Sequence, residues 1–316
     1  MNTVLVAGGA GFIGSHLCDA LLSKGSTVIC VDNFITGDKN NIAHLKGSKS
    51  FELIEADISV PETNKIIESK YNKIDEIYNL ASPASPVDYV LYPIETLMVG
   101  SMGTKNLLDM ALKHKAKILV ASTSEVYGDP LEHPQKETYW GNVNPVGVRS
   151  CYDEAKRFME ALTSAYKRKY ALRIRISRIF NTYGPRMRLN DGRVVPNFIP
   201  QAIKGEDITV YGDGSQTRSF CYVSDMVDGL ISLMNSEVDT PINIGNPEER
   251  SILDFAKAVV RMTGSNSKIV NFPLPSDDPK RRKPDISKAK ELLKWSPRVS
   301  FEDGIYKTVE YFKNSN

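Results

Sequence analysis

Tyr152 and Lys156 stand four positions apart in RSCYDEAKRF, residues 149–158. On a helix this spacing puts a phenol and an ammonium on one face, one turn apart. The same spacing occurs on ordinary helix surfaces. It is also the arrangement that lets a phenol move protons near neutral pH, since an unperturbed phenol has a pKa of about 10 and a nearby cation favours the phenolate. Upstream, STSEVYG (122–128) follows an apolar run and offers hydroxyls and a carboxylate, with Thr123 and Glu125 among them.

Positioning these groups takes a scaffold, and the first 180 residues supply its pattern. TVLVA (3–7), TVICV (27–31), FELIEA (51–56), DEIYNLA (75–81), KILVAS (117–122) and LRIRIS (172–177) read as strands. Stretches such as HLCDALLSKG and MGTKNLLDMALKHK between them carry apolar residues at helical spacing. Strands that are apolar nearly throughout, alternating with helices, predict an α/β fold: a Rossmann-like, doubly wound parallel sheet covered on both faces. We expect residues 1–180 to form this dinucleotide-binding domain. From about 181 the texture shifts to NTYGPRMRLNDGRVVPNF, predicting a smaller C-terminal substrate lobe over 181–316, with some segments returning to the sheet.

VAGGAGFIG joins the first strand to the first helix and sets Gly8, Gly11 and Gly14 in a Gly-x-x-Gly-x-x-Gly variant of the dinucleotide fingerprint. Glycine allows the tight turn and lets backbone amides approach a pyrophosphate at the helix N-terminus. The second strand ends at Asp32, whose carboxylate suits the adenosine ribose hydroxyls and repels a 2′-phosphate, so NAD is expected over NADP. Asp57 closes the third strand, and NLASP (79–83) ends the fourth at the sheet edge where ligands bind.

The 316 residues carry a net charge of +2, which gives no global case for a nucleic-acid or membrane partner. Apolar runs fall short of a bilayer span, and the N-terminus goes directly into a strand, so a cytoplasmic protein is expected. Cys18, Cys30, Cys151 and Cys221 show no paired spacing and read as reduced thiols. Cys151 beside Tyr152 invites a nucleophile reading, but no histidine lies near it in sequence. The four histidines form no ligand cluster, and no metal is expected. PKRRKPD (279–285) is either a solvated or localisation segment or a set of anion ligands.

The glycine loop, STSEVYG and the Tyr–Lys pair together resemble the extended short-chain dehydrogenase/reductase superfamily of nucleotide-sugar enzymes. Within it, NLASPASPVDY, STSEVYGDP, HPQKETYWGNVNPVG, CYDEAKR, RIFNTYGPRM, DGRVVPNFI, TVYGDGSQTRSF, INIGNPEE and DDPKRRKPDI resemble the UDP-glucuronate decarboxylase (UDP-xylose synthase) family. The resemblance implies oxidation of carbon 4 of UDP-glucuronate by retained NAD, loss of CO2 from carbon 5, and return of the hydride to give UDP-xylose. It implies Thr123, Tyr152 and Lys156 as the catalytic set, with Glu125 near the reacting ring and Arg282 reaching into the site. It places Gly8, Gly11, Phe12, Ile13, Gly14, Asp32, Asn33, Asp57, Ile58, Leu80, Ala81 and Ser82 at the cofactor, beside Tyr152 and Lys156. Pro83, Tyr89, Asn181, Arg186, Val195, Asn197, Tyr211, Gln216, Arg218 and Arg282 fall to the UDP-sugar. A homodimer is implied as well, through helices near 92–115 and 150–168.

Three other readings compete. A nucleotide-sugar 4,6-dehydratase carries Thr-Asp-Glu where this chain has Thr123-Ser124-Glu125, and a serine cannot serve as the carboxylic acid. A UDP-sugar 4-epimerase lacks a counterpart of Glu125. A silent sugar-nucleotide sensor needs no complete catalytic set.

Overall fold

The computed structural model describes residues 2–189, 191–273 and 281–314, with the side chain of Arg281 left aside. Pro279 and Lys280 of the basic run therefore lie outside the described residues.

Six strands form where the apolar runs predict them: β1 (Thr3–Ala7), β2 (Thr27–Asp32), β3 (Phe51–Glu55), β4 (Glu76–Asn79), β5 (Lys117–Thr123) and β6 (Ile174–Ile179). A seventh, β7 (Ile242–Ile244), comes from the C-terminal half and pairs with β6. The sheet order is β7-β6-β5-β4-β1-β2-β3, and every pairing in it is parallel. The order reverses between β1 and β4, so a crevice opens at their carboxyl ends.

Both faces are covered, which explains the unbroken apolar strands. Along β1, Val4 and Val6 pack into one core while Leu5 and Ala7 pack into the other. The first core takes in helices α1 (Phe12–Ser23) and α6 (Val223–Asn235), and runs on into the smaller lobe through Phe198, Val210 and Phe255. The second takes in α2 (Glu62–Lys70), α3 (Thr104–His114) and α4 (Ser150–Tyr170). In the smaller lobe α5 (Val194–Lys204) packs against α7 (Ile252–Thr263). Beside them lie a parallel pair, Ile208–Tyr211 with Ile269–Phe272, and a small sheet in which Thr217–Ser219 is flanked by Glu249–Ser251 and Arg281–Arg282. Among the described residues no helix is long and apolar enough to cross a membrane.

One helical irregularity bears on the site. The helix Pro93–Met98 runs into α3 through a π turn, Val99–Gly103. A Cβ on Gly100 would lie 2.7 Å from the Cβ of Ala155 in α4, closer than such atoms approach. Glycine thus lets this helix press against α4 one residue before Lys156.

Candidate active site

Tyr152 and Lys156 project from the first turns of α4, and Thr123 ends β5 beside them. All three are buried. The Thr123 hydroxyl hydrogen-bonds the Tyr152 phenol, which favours the phenolate. Burial is the larger effect and pushes the Tyr152 pKa well above the ordinary phenol value. Lys156 Nζ donates to the Ala121 carbonyl at 2.9 Å and stands 5.6 Å from the centroid of the Tyr152 ring. Burial lowers its pKa from 10.5 to about 8. Desolvation thus drives both groups toward their uncharged forms, and further positive charge is needed to bring the phenol toward neutrality.

Glu125 lies just beyond, held from two sides. Arg282 Nη1 meets Oε1 at 2.5 Å, and Arg149 Nη2 meets Oε2. Burial alone raises the carboxyl, but the two guanidiniums outweigh it and hold Glu125 below the usual range. Glu125 is therefore a partly buried carboxylate, not a proton-bearing acid. Arg282 also donates Nη2 to the Gly128 carbonyl at 2.9 Å, and Nη1 lies 3.4 Å from Ser124 Oγ. At 2% exposure it cannot belong to a solvated loop. The chain delivers it by pairing: Arg282 registers with Arg218, and Lys283 and Asp285 are tied to Gln135 by three hydrogen bonds of 2.8–2.9 Å.

A partly buried polar network fixes the end of β5 from behind. Ser122 Oγ donates to Glu160 at 2.6 Å, Arg178 grips both Glu160 oxygens at 2.8 and 2.9 Å, and Arg178 also donates to the Tyr127 hydroxyl at 3.0 Å. Tyr127 in turn donates to Asn243 of β7 at 2.7 Å. The short seventh strand thereby braces this edge of the sheet.

A cleft of about 1110 Å³ opens over these groups. It gathers Gly8, Gly11, Phe12, Ile13, Gly14, Leu80 and Ser82 on the sheet side with Tyr89, Asn181, Arg186, Val195, Asn197, Tyr211, Gln216 and Arg218. An adjoining recess of about 80 Å³ collects Asp32, Asn33, Asp57, Ile58, Ala81 and Pro83. Pro83, expected at the sugar, thus lines the recess instead. Tyr89 stacks on Tyr152 with ring centroids 5.0 Å apart, and its buried hydroxyl has no hydrogen-bond partner among the described residues. Arg186, expected at a diphosphate, is paired with Asp19 at 2.8 Å.

The cradle suits a dinucleotide. Gly8 has φ +76°, and a Cβ there would lie 2.8 Å from the Ala81 backbone nitrogen, so only glycine keeps the floor open. The N-terminus of α1 at Gly11 has no side-chain cap, as an anion site requires. Asp32 accepts the N–H groups of Ala10 and Phe34, each at 2.9 Å. That carboxylate shapes the loop as well as facing the recess, a double duty that its position in the sequence does not reveal.

Two polar residues at the site escape the sequence reading. Arg149 and Asp153 flank Tyr152, and the available signal was spacing: Arg149 precedes Tyr152 by three residues, one turn back on the same face. Asp153 is buried, and its Oδ1 has no partner among the described residues. Cys151 is buried and its thiol is pushed up, first by burial, which makes it inert. No metal-binding group of three or more His, Cys, Asp or Glu occurs among the described residues.

A sheet of this order, with its glycine turn at the switch point and a buried Thr–Tyr–Lys set at the neighbouring strand end, defines an extended short-chain dehydrogenase/reductase. The chain belongs to the GDP-mannose 4,6 dehydratase family, whose profile matches residues 5–308. It is 53% identical to UDP-glucuronic acid decarboxylase 1 of Xenopus tropicalis over 98% of this chain and 72% of that one. Among solved structures, UDP-glucose 4-epimerase of Thermotoga maritima, determined with UDP-glucose, superposes with a TM-score of 0.92 at 31% identity, covering 99% of each chain. UDP-glucuronic acid 4-epimerase of Bacillus cereus, in complex with UDP-glucuronic acid and NAD, reaches 0.88 at 30% identity, covering 99% of this chain and all of its own.

Proposed function

We propose that this protein is an NAD-dependent UDP-glucuronate decarboxylase that makes UDP-xylose and CO2. The observation carrying this reading is the ion pair of Glu125 with the buried Arg282, beside Thr123, Tyr152 and Lys156, in a chain 53% identical to a decarboxylase. Bound NAD, cradled by Gly8, Gly11 and Asp32, supplies the hydride acceptor and later donor at C4, together with the positive ring that favours phenolate.

The chain's own groups do the rest. Tyr152 takes the proton of the C4 hydroxyl, and Thr123 holds that hydroxyl in line. Lys156 sustains the phenolate from the far side of the ring. With C4 a ketone, the C5 carboxylate is lost as CO2 and the resulting enolate is protonated at C5. Arg282, fixed on Glu125 and Gly128, flanks that carbon. Residues beyond 180 carry most of the UDP-sugar recognition, with Asn181, Asn197, Tyr211 and Arg218 lining the cleft.

The proposal extends to a cytoplasmic homodimer. Four buried free cysteines suit a reducing compartment. Leu91, Ile94 and Met98 on the helices before α3, with Phe158 on α4, expose 43–64% of their surface, and grouped exposed apolar side chains suit a protein interface.

An NMR time course with UDP-glucuronate and NAD tests the reaction. UDP-xylose and CO2 without net NADH are expected. UDP-galacturonate as the product would replace decarboxylation by 4-epimerisation on the same Thr–Tyr–Lys set.

A further inference from the structure

A uronic acid carries its carboxylate on C5, next to the C4 hydroxyl that Tyr152 deprotonates. The carboxylate therefore arrives beside Tyr152 and close to Glu125, which is already ionised. Two carboxylates cannot share a buried space without a cation between them.

Four guanidiniums act on Glu125 or Tyr152: those of Arg149, Arg193, Arg218 and Arg282. Arg282 is 3% exposed in its side chain and fixed on the 122–128 loop by Glu125, Ser124 and Gly128. Arg193 is bound to Asp191 through both Nε and Nη2. Arg218 stands on the smaller lobe and donates to the Thr217 carbonyl at 2.8 Å. Arg149 differs from these three in rising from the same helix turn as Tyr152, whose N–H it accepts at 3.0 Å. Its side chain is 25% exposed, lines the cleft and reaches Glu125 Oε2.

We propose that Arg149 is the specificity residue for the sugar carboxylate, bridging it to Glu125. This rests on the reaction proposed above. Sharing the guanidinium has a chemical purpose. A cation given wholly to the carboxylate would stabilise the ground state more than the transition state, where that charge has left. In the decarboxylation the C5–C6 bond breaks, its electron pair passes into the C4–C5 bond and onto the C4 oxygen, and CO2 departs uncharged. No oxidant or reductant is consumed in that step. Arg149 returns fully to Glu125 as the substrate charge moves away.

The test compares two ligands that differ by the carboxylate alone. Dissociation constants for UDP-glucuronate and UDP-xylose are measured by calorimetry with saturating NAD, in a Tyr152→Phe background that prevents turnover. Arg149→Met is expected to weaken UDP-glucuronate about tenfold or more, the size of one charged hydrogen-bonded pair, and UDP-xylose less than about twofold. Arg149→Lys should restore part of the glucuronate affinity. Equal loss for both ligands, or none, overturns the assignment. If Arg149→Met binds neither ligand, the Arg149→Lys ratio decides, and a ratio equal to that of the Arg149 protein overturns it. Failure of the native protein to make UDP-xylose is a separate result: it removes the reaction while the affinity ratio still reports on Arg149.

Discussion

Lys156 hydrogen-bonds the Ala121 carbonyl at the end of β5 while its ammonium lies 5.6 Å from the Tyr152 ring centroid. One side chain therefore ties the helix carrying Tyr152 to the strand carrying Thr123. Its pKa, lowered by burial to about 8, places the loss of its charge within reach of physiological pH. As pH rises through about 8 the cation that favours phenolate disappears, so kcat is expected to fall on the alkaline side. Lys156→Arg, which stays charged, should carry that limb upward, and Lys156→Met should lower kcat by about two orders of magnitude. The pH profiles of the three proteins check this, and a limb left unmoved by arginine assigns the titration to another group.

Asp153 bears on stability. Burial, then the charge of Glu125, raises its pKa from 3.8 to about 7. A carboxyl whose folded pKa is raised causes no loss below its unfolded value, and an increasing loss as pH climbs to the folded one. Asp153→Asn should therefore leave stability unchanged near pH 4 and raise it on the order of 2–4 kcal/mol above pH 7. Denaturant titrations at the two pH values measure the difference. A gain of equal size at both would point to packing and not to ionisation.

Gly100 tests the helix contact behind the site. An added methyl at 2.7 Å from Ala155 forces the π turn and α4 apart. Gly100→Ala is expected to cost about 1–3 kcal/mol, as overpacking does, and to lower kcat more than it raises KM, because α4 carries Tyr152 and Lys156. A variant with native stability and kcat would show that the two helices yield without disturbing the site.

The exposed apolar stripe gives a prediction for assembly. Leu91 and Ile94 are each 64% exposed. Replacing both by Asp should turn a dimer into a monomer in sedimentation velocity. Native protein that sediments as a monomer would sink the dimer proposal outright.

Local chemistry was readable in the sequence, and long-range polar pairing was not. The six strands of the first 180 residues fall within two residues of their apolar runs, because a strand buried on both faces has little room for anything else. The three-residue β7 escaped, since Ile242–Ile244 is too short for periodicity to register. Tyr152, Lys156 and the glycine loop announce themselves by spacing on one element. Asn243, which accepts from Tyr127 and donates to the carbonyls of Gln135 and Asp285, and the Arg149–Glu125 contact depend on segments that meet only in the folded chain.

Ser124 and its neighbour Arg282 are 158 residues apart in the chain. Glu125 is therefore held by one partner near it in the chain, Arg149, and by one, Arg282, that only a long-range pairing delivers. A sequestered carboxylate that loses one of its cations is strongly unfavourable, so loosening the Gln135 pairing should draw water to the 122–128 loop. The dinucleotide cradle draws on residues near one another in the sequence, whereas the Glu125 end is complete only where Lys283 and Asp285 lock onto Gln135.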